Sequence, residues 1–201
     1  MKEKGKSVST LKVCEFISYF FVFLMVFMSI DFVKAVIYDS RNYEVRLEAD
    51  DTAENAQEVY RLYIDGEYYD DVDYNLYSSV DENGKTDYKF CYLSEQAKEL
   101  CYCIIMIAMV LTVISIAKNS RETPFTPQNT VRIRLIGALQ FALAIVPGLV
   151  AFIMRFFRFS YVSTHLNMSW LFMFVVGGVI MILAQVFDYG VKLQQDNDLI
   201  A

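Results

Sequence analysis

Residues 16–30 read FISYFFVFLMVFMSI, and this stretch contains no charged residue. It lies within a longer apolar run that extends over about residues 14–38. A helix needs ~20 apolar residues to cross the ~30 Å hydrocarbon layer of a bilayer. Because a helix satisfies its own backbone hydrogen bonds, it is the conformation that such a run adopts in lipid. The stretch therefore predicts a transmembrane helix.

Three further apolar runs follow, at residues 100–117, 135–154 and 168–187. Four such runs in 201 residues leave too little polar sequence to cover them in a water-soluble fold. The first run is too long for a cleaved signal peptide, and no small-residue cleavage site follows it. We therefore predict an all-α membrane protein with a four-transmembrane-helix bundle.

Acidic residues are concentrated between the first two apolar runs. Residues 39–96 contain 16 Asp and Glu against 5 Lys and Arg, a local charge of −11, whereas the rest of the chain carries +5. A split of this kind indicates two environments and not one acidic surface. We predict that this segment is an insertion on one side of the membrane.

The insertion has the sequence pattern of a small β-rich module. Asp65-Gly66 is a hairpin signal that follows the β-prone residues 59–64. A turn is expected at residues 81–84. Further strands are expected at residues 43–47, 72–80 and 85–93.

Basic residues predict the orientation, because cytoplasmic segments are enriched in Lys and Arg. With the N-terminus inside, Arg155 and Arg158 fall on the outer side, where we expect their side chains to reach the lipid headgroups. The remaining basic residues that decide the orientation fall in cytoplasmic segments: Lys2, Lys4, Lys6, Lys12, Lys118, Arg121, Arg132, Arg134 and Lys192. The domain plan is then a cytoplasmic N-terminus with helix 1 at 1–38, the extracytoplasmic insertion at 39–96, and helices 2–4 at 97–201, including a cytoplasmic loop at 118–134 and a cytoplasmic tail at 188–201.

Few polar side chains lie at membrane depth. Asp31 and Lys34 are spaced i, i+3 near the outer end of helix 1 and can face one another. Gln140 and Gln185 are deeper, and amides in lipid seek partners on neighbouring helices. Ion handling by the charged pair and substrate contact by the amides are the alternatives to these structural roles.

No catalytic set is visible, and we expect no enzyme activity, no cofactor and no metal site. The single histidine is His165, and the sequence shows no Ser-His-Asp arrangement, no metal-ligand cluster and no phosphate-binding Gly-rich loop. Residues 71–82 have the acidic spacing of an EF-hand loop, but Leu76 stands where that loop needs Gly. A solvated acidic face that attracts cations or basic peptides non-specifically fits this segment better.

Two short motifs carry a family resemblance. One begins at Pro124-Phe125-Thr126-Pro127-Gln128-Asn129 and continues through Arg132, Arg134 and Gly137, and the other is the tail from Phe187 through Gly190 and Leu193 to Leu199. Together with the four-helix plan, they resemble the bacterial membrane protein family DUF2975. The resemblance covers the membrane region and not the acidic insertion.

The resemblance implies a bacterial cytoplasmic membrane and a frequent genetic neighbour, a small helix-turn-helix regulator. It does not imply an activity. Both motifs fall on the cytoplasmic face, where they either form a docking surface or only cap helices, with Thr126 as the N-cap and Pro127 as the first helical residue. Candidate docking residues are Pro124, Phe125, Thr126, Pro127, Arg132, Arg134, Gly190 and Leu193.

Two functional hypotheses follow. The first is a non-catalytic membrane sensor or interaction partner of a helix-turn-helix regulator, with no direct contact to nucleic acid, in contact with the lipid bilayer and able to form a homo-oligomer. The alternative is a small transporter or self-protection protein acting on cationic peptides, which would need a polar path through the membrane.

Overall fold

The computed structural model describes residues 2–50, 57–120, 125–162 and 168–198. Its elements follow the chain in this order: α1 Lys2–Ile37, a 3-10 turn Ser40–Asn42, β1 Tyr43–Asp50, β2 Gln57–Ile64, β3 Glu67–Val72, α2 Tyr74–Tyr77, α3 Tyr88–Asn119, α4 Pro127–Arg158 and α5 Ser169–Asp198.

Among the described residues, four helices contain segments that are long and apolar enough to cross a membrane, namely Glu15–Ile37, Tyr88–Asn119, Pro127–Arg158 and Ser169–Asp196. Protein buries little of them: only 6% of the most apolar part of the first segment is covered. Side chains this apolar need a nonaqueous surrounding, which lipid supplies. The chain is a multi-pass membrane protein, and the predicted fold class is confirmed.

In the described part of the chain, the sheet has three antiparallel strands in the order β1-β2-β3. Tyr43 pairs with Ile64 and Asp50 with Gln57, so β1 and β2 are in register over their full length. The predicted Asp65-Gly66 hairpin is confirmed, with φ of 57° and 83° at these residues. Two successive positive φ angles are typical of the primed turns that suit the right-handed twist of a hairpin.

Two predicted strands are wrong. Residues 72–80 contain the short helix α2, and residues 85–93 contain the first turns of α3. In each case an aspartate caps the helix: the Asn75 N–H donates to Asp73 Oδ1 over 2.9 Å, and the Phe90 N–H donates to Asp87 Oδ1 over 3.1 Å. These local caps satisfy backbone donors that a strand would have left to a partner.

The chain forms two compact units. The sheet-containing unit comprises Met28–Leu100 and Pro147–Asn167, and the helical unit comprises Met1–Phe27, Cys101–Val146 and Met168–Ala201. The core of the sheet-containing unit consists of Ala35, Tyr43, Leu62, Tyr77, Cys91, Tyr92 and Phe159. Buried residues of the helical unit include Ile105, Ile114, Leu143, Ala184 and Val191.

Candidate functional site

A cavity of about 400 Å³ lies in the sheet-containing unit, and we call it the tyrosine cavity. Its walls come from the C-terminal part of α1, from all three strands and from α3. The lining residues are Asp31, Lys34, Ala35, Tyr38, Tyr43, Ile64, Asp65, Glu67, Tyr68, Tyr69 and Tyr92. An occupant of this cavity would contact a membrane helix and the sheet at once.

The pair Asp31–Lys34 forms one side of the tyrosine cavity. Lys34 Nζ lies 3.6 Å from Asp31 Oδ1, as the i, i+3 spacing predicted. The Lys34 side chain is 58% exposed and that of Asp31 is 23% exposed. The pair is therefore accessible from the cavity.

Hydrogen bonding and ring packing fix the aromatic wall. The Tyr92 hydroxyl donates to the Tyr69 hydroxyl over 2.8 Å, and the two rings pack edge to face with centroids 5.4 Å apart. Tyr43 packs against Tyr92 at 5.7 Å, and burial raises the pKa of Tyr43 to about 12. At neutral pH Tyr43 is therefore uncharged and acts as an aromatic surface.

A second cavity of about 310 Å³ shares Tyr69 and Tyr92 with the first, and we call it the acidic cavity. Its lining residues are Leu62, Tyr69, Asp70, Asp71, Val72, Asp73, Leu76, Tyr77, Tyr92, Glu95, Gln96 and Glu99. Five of these side chains are carboxylates and none is basic. Burial raises the pKa of Tyr77 far above its usual range, so this tyrosine is also uncharged.

Arg155 connects α4 to α3 next to the acidic cavity through a hydrogen bond and an ion pair. Its side chain is 4% exposed, its Nε donates to Ser94 Oγ over 2.7 Å, and its Nη2 donates to Glu95. Lys98 also pairs with Glu95. The expectation that Arg155 reaches the headgroups is therefore wrong, because buried partners satisfy its guanidinium. Arg158 is half-exposed and pairs with Asp87 at 3.0 Å.

Lys89 closes the end of α1. Its Nζ donates to the Val36 carbonyl over 2.9 Å and to the Tyr38 carbonyl over 2.5 Å. The last carbonyls of a helix have no hydrogen-bond donor within the helix. Here Lys89 of α3 supplies the missing donors. Lys89 and Arg155 together connect α1, α3 and α4 within this unit.

The first predicted motif forms a polar cluster in the helical unit. Thr126 caps α4, because the Asn129 N–H donates to its Oγ1 over 3.2 Å, and Pro127 is the first helical residue, as predicted. Asn129 is fully buried and donates to Ser120 Oγ over 2.9 Å. Arg132 Nη1 donates to the Ser115 carbonyl over 3.2 Å. The motif joins the end of α3 to the start of α4.

The second predicted motif contacts the first. A Cβ atom on Gly190 would lie 2.6 Å from Phe125 Cδ1, so only glycine lets the ring approach α5 this closely. Phe125 also packs on Phe187, with ring centroids 5.3 Å apart. The structure thus brings Phe125 and Gly190 together.

An ion-pair network lies next to this contact. Arg134 Nη2 is 3.7 Å from Asp188 Oδ2, and Lys192 Nζ is 3.6 Å from the same oxygen. Leu193 is 52% exposed. Pro124, the remaining residue predicted for this face, lies outside the described residues, as does His165.

The two deep amides do not occupy equivalent positions. Gln140 on α4 is half-buried and Gln185 on α5 is exposed on the protein surface. Neither lines the tyrosine cavity or the acidic cavity.

Residues 95–200 match the model of a family described as a protein of unknown function, DUF2975. The chain belongs to the DUF2975 family. The matched residues include both motifs and exclude the sheet, so in this DUF2975 member the sheet is an addition to the region that the family model covers. Comparison with curated proteins and comparison with solved structures each found no match.

The sequence did not predict the tyrosine cavity, the buried contacts of Arg155 or the burial of Asn129. Asn129 had a local signal, because it stands three residues after a Thr-Pro helix start, where a backbone donor meets the cap. Arg155 had a weaker one: an arginine inside an apolar segment needs a buried partner, and the sequence region 94–99 carries two glutamates. The tyrosine cavity had none, since its residues come from separate elements.

Proposed function

We propose that this DUF2975 member is a non-catalytic sensor in a bacterial cytoplasmic membrane, with both termini in the cytoplasm. The sheet of β1, β2 and β3 would lie outside the membrane, and the tyrosine cavity beside it would receive a ligand. The helical unit would present the two family motifs to a cytoplasmic partner. The excess of basic residues in the segments assigned to the cytoplasm supports this orientation.

The tyrosine cavity is the observation that carries the proposal. Its walls combine Asp31 and Lys34 of α1 with residues of the sheet and with Tyr92 of α3. A ligand held there would favour one arrangement of α1 relative to α3, provided that it binds that arrangement better. Both helices contain membrane-spanning segments. A change in their arrangement at the cavity could therefore carry the binding signal into the membrane.

The partner surface would include the network of Arg134, Asp188 and Lys192 together with the exposed Leu193. Two cations, one carboxylate and an apolar side chain suit a soluble protein with an acidic patch. The partner we propose is the small helix-turn-helix regulator that the family resemblance implies. Thr126 and Arg132 would hold the helix ends, since their polar atoms already bond within the protein.

Recovery of the partner tests the proposal. The tagged protein, purified from native membranes, is expected to retain a helix-turn-helix regulator, and the double variant Arg134→Gln, Lys192→Gln is expected to lose it. The matched control removes two positive charges from the sheet-containing unit, Arg41→Gln with Lys85→Gln, and should retain the partner. Failure to recover any regulator, with no transcriptional change when the gene is deleted, would overturn the proposal.

Transport of cationic peptides is the alternative function. It would depend on Gln140 and Gln185 as polar groups along a path through the membrane. Replacement of both by Leu should leave a sensor active, whereas it should abolish a transport or resistance phenotype if the alternative is correct.

A further inference from the structure

We infer that the tyrosine cavity and the acidic cavity together bind an extended basic peptide segment, with cationic side chains in both cavities. The inference rests on the proposed function, since the peptide would be the ligand that the sensor receives.

The two cavities share Tyr69 and Tyr92 and are lined by successive residues of β3. Glu67, Tyr68 and Tyr69 line the tyrosine cavity, and Tyr69, Asp70 and Asp71 line the acidic cavity. Among the described residues, β3 pairs with β2 alone, so one edge of β3 faces no other strand. An extended peptide can lie along such an edge, with alternate side chains entering neighbouring cavities.

The charges of the lining favour a cation. Asp31 is paired with Lys34 in the tyrosine cavity, but Asp65 and Glu67 form no ion pair with any residue that the structure describes. In the acidic cavity Glu95 is paired with Arg155 and Asp71 with Arg61. There Asp70 and Glu99 likewise have no ion-pair partner in the described part of the chain.

Aromatic rings in this sheet already serve as surfaces for cations. The Arg46 guanidinium lies 4.5 Å from the ring centroid of Tyr63, and that of Arg61 lies 5.7 Å from the ring centroid of Tyr68. Tyr68 and Tyr69 are 55% and 44% exposed. Exposed tyrosines beside unpaired carboxylates attract Lys and Arg side chains by the cation–π interaction and by charge at once.

The carboxylates are spread along the cavities and do not converge on one point. In the described part of the chain no three acidic, His or Cys side chains lie close enough together to hold a metal ion. Separate cations on one flexible chain fit such a distribution better than a single divalent ion does.

Direct binding tests the inference. The full chain in phosphatidylcholine nanodiscs would be titrated with a fluorescein-labelled peptide of alternating lysine and leucine, with empty nanodiscs as the reference. We expect saturable binding that falls as salt is added. The same peptide with acetylated lysines should not bind.

Variants locate the site. Asp65→Asn with Glu67→Gln removes both unpaired carboxylates of the tyrosine cavity, and Asn at position 65 keeps the hairpin, because Asn-Gly suits the same turn. We expect about tenfold weaker binding from the loss of two charge interactions. Tyr68→Leu should weaken binding about threefold by removing one aromatic surface. The matched control, Glu58→Gln with Glu82→Gln, changes the net charge equally outside both cavities and should bind like the wild type.

Three results would overturn the inference: equal binding by the double variant and its control, equal binding of the acetylated peptide, or equal binding of spermine, which would show a site for small polycations. These measurements use the protein alone. If the peptide binds as expected, while no regulator is recovered and deletion of the gene causes no transcriptional change, the proposed sensor function is refuted and the binding site still stands.

Discussion

Arg155 and Ser94 are 61 positions apart in the chain, yet the Arg155 Nε donates to the Ser94 hydroxyl over 2.7 Å in a buried contact. The same guanidinium pairs with Glu95. The Nε and Nη2 donors of this buried side chain thus both have partners, and the contact joins α3 to α4.

Arg155→Gln should therefore destabilise the protein strongly. Removal of Arg155 leaves Glu95, whose side chain is only 16% exposed, with Lys98 as its remaining ion-pair partner in the described part of the chain. Breaking a buried pair costs about 3–5 kcal/mol. Arg158→Gln is the matched control, because Arg158 is half-exposed and its pair with Asp87 should contribute at most about 1 kcal/mol. Unfolding in detergent, followed by circular dichroism, gives both values. If both variants lose the same free energy of unfolding, burial of the Arg155 pair does not make it more stabilising than the exposed Arg158 pair.

The membrane architecture could be predicted from the sequence because apolar length is a local property. Residues 16–30 predict their helix without reference to any other part of the chain. The hairpin at Asp65-Gly66 was also predictable from a local property, since glycine adopts positive φ freely and aspartate tolerates it better than most residues do. The start of α3 was not predictable, because residues 85–93 are β-prone. The same stretch contains Asp87, which caps α3, and these residues form a helix and not a strand.

The sites were predictable only where partners are close in sequence. Asp31 and Lys34 meet through helix geometry, and Thr126 caps the helix that begins one residue later. The tyrosine cavity depends on residues from α1, the sheet and α3, and Arg155 depends on residues of another helix. Neither arrangement follows from a period or a spacing, so neither was visible in the sequence.

The proposed orientation predicts which side of the membrane each surface faces. A membrane-impermeant maleimide should label Glu82→Cys in intact cells and should label Gln128→Cys only after the membrane is opened. Both positions are exposed. The wild-type chain is the control, since the cysteines whose side chains are described, Cys91, Cys101 and Cys103, are buried or half-buried. Labelling of Gln128→Cys in intact cells would reverse the orientation.

Gly190 should tolerate no side chain while Phe125 is present. The methyl group of Gly190→Ala would lie 2.6 Å from the Phe125 ring, and overpacking of this kind costs about 1–3 kcal/mol. Gly178→Ala is the control, because nothing lies within 4 Å of its added Cβ, and alanine should gain up to about 1 kcal/mol in helix propensity.

Thermal unfolding of both variants in the same detergent measures the difference. If the clash with the ring is the cause, Phe125→Leu should recover part of the stability lost in Gly190→Ala. A Gly190→Ala variant as stable as Gly178→Ala would show that the ring moves aside freely.

The carboxyl group of Glu48 on β1 should report on its contact with Tyr63. The Tyr63 hydroxyl donates to Glu48 Oε1 over 2.7 Å, and this bond, followed by the bond from Arg61, lowers the pKa of Glu48 below its ordinary value of 4.5. A lowered pKa means that the ionised form is favoured in the folded state. The contribution of Glu48 to stability is therefore present above pH 4.5 and is lost as the pH falls through the lower, folded-state pKa.

Tyr63→Phe should raise the pKa of Glu48 towards 4.5, because the phenyl ring keeps the packing and loses the donor. Tyr60→Phe is the control, since the Tyr60 ring stacks on Tyr74 with centroids 4.5 Å apart, whereas the tyrosine hydroxyl that donates to Glu48 is that of Tyr63. Carbon-detected NMR of glutamate-labelled protein in nanodiscs follows the titration. The pKa should stay partly lowered in Tyr63→Phe, because Arg61 Nη1 still donates to Glu48 Oε2 over 3.1 Å. An unchanged pKa would show that Arg61 alone holds the carboxylate.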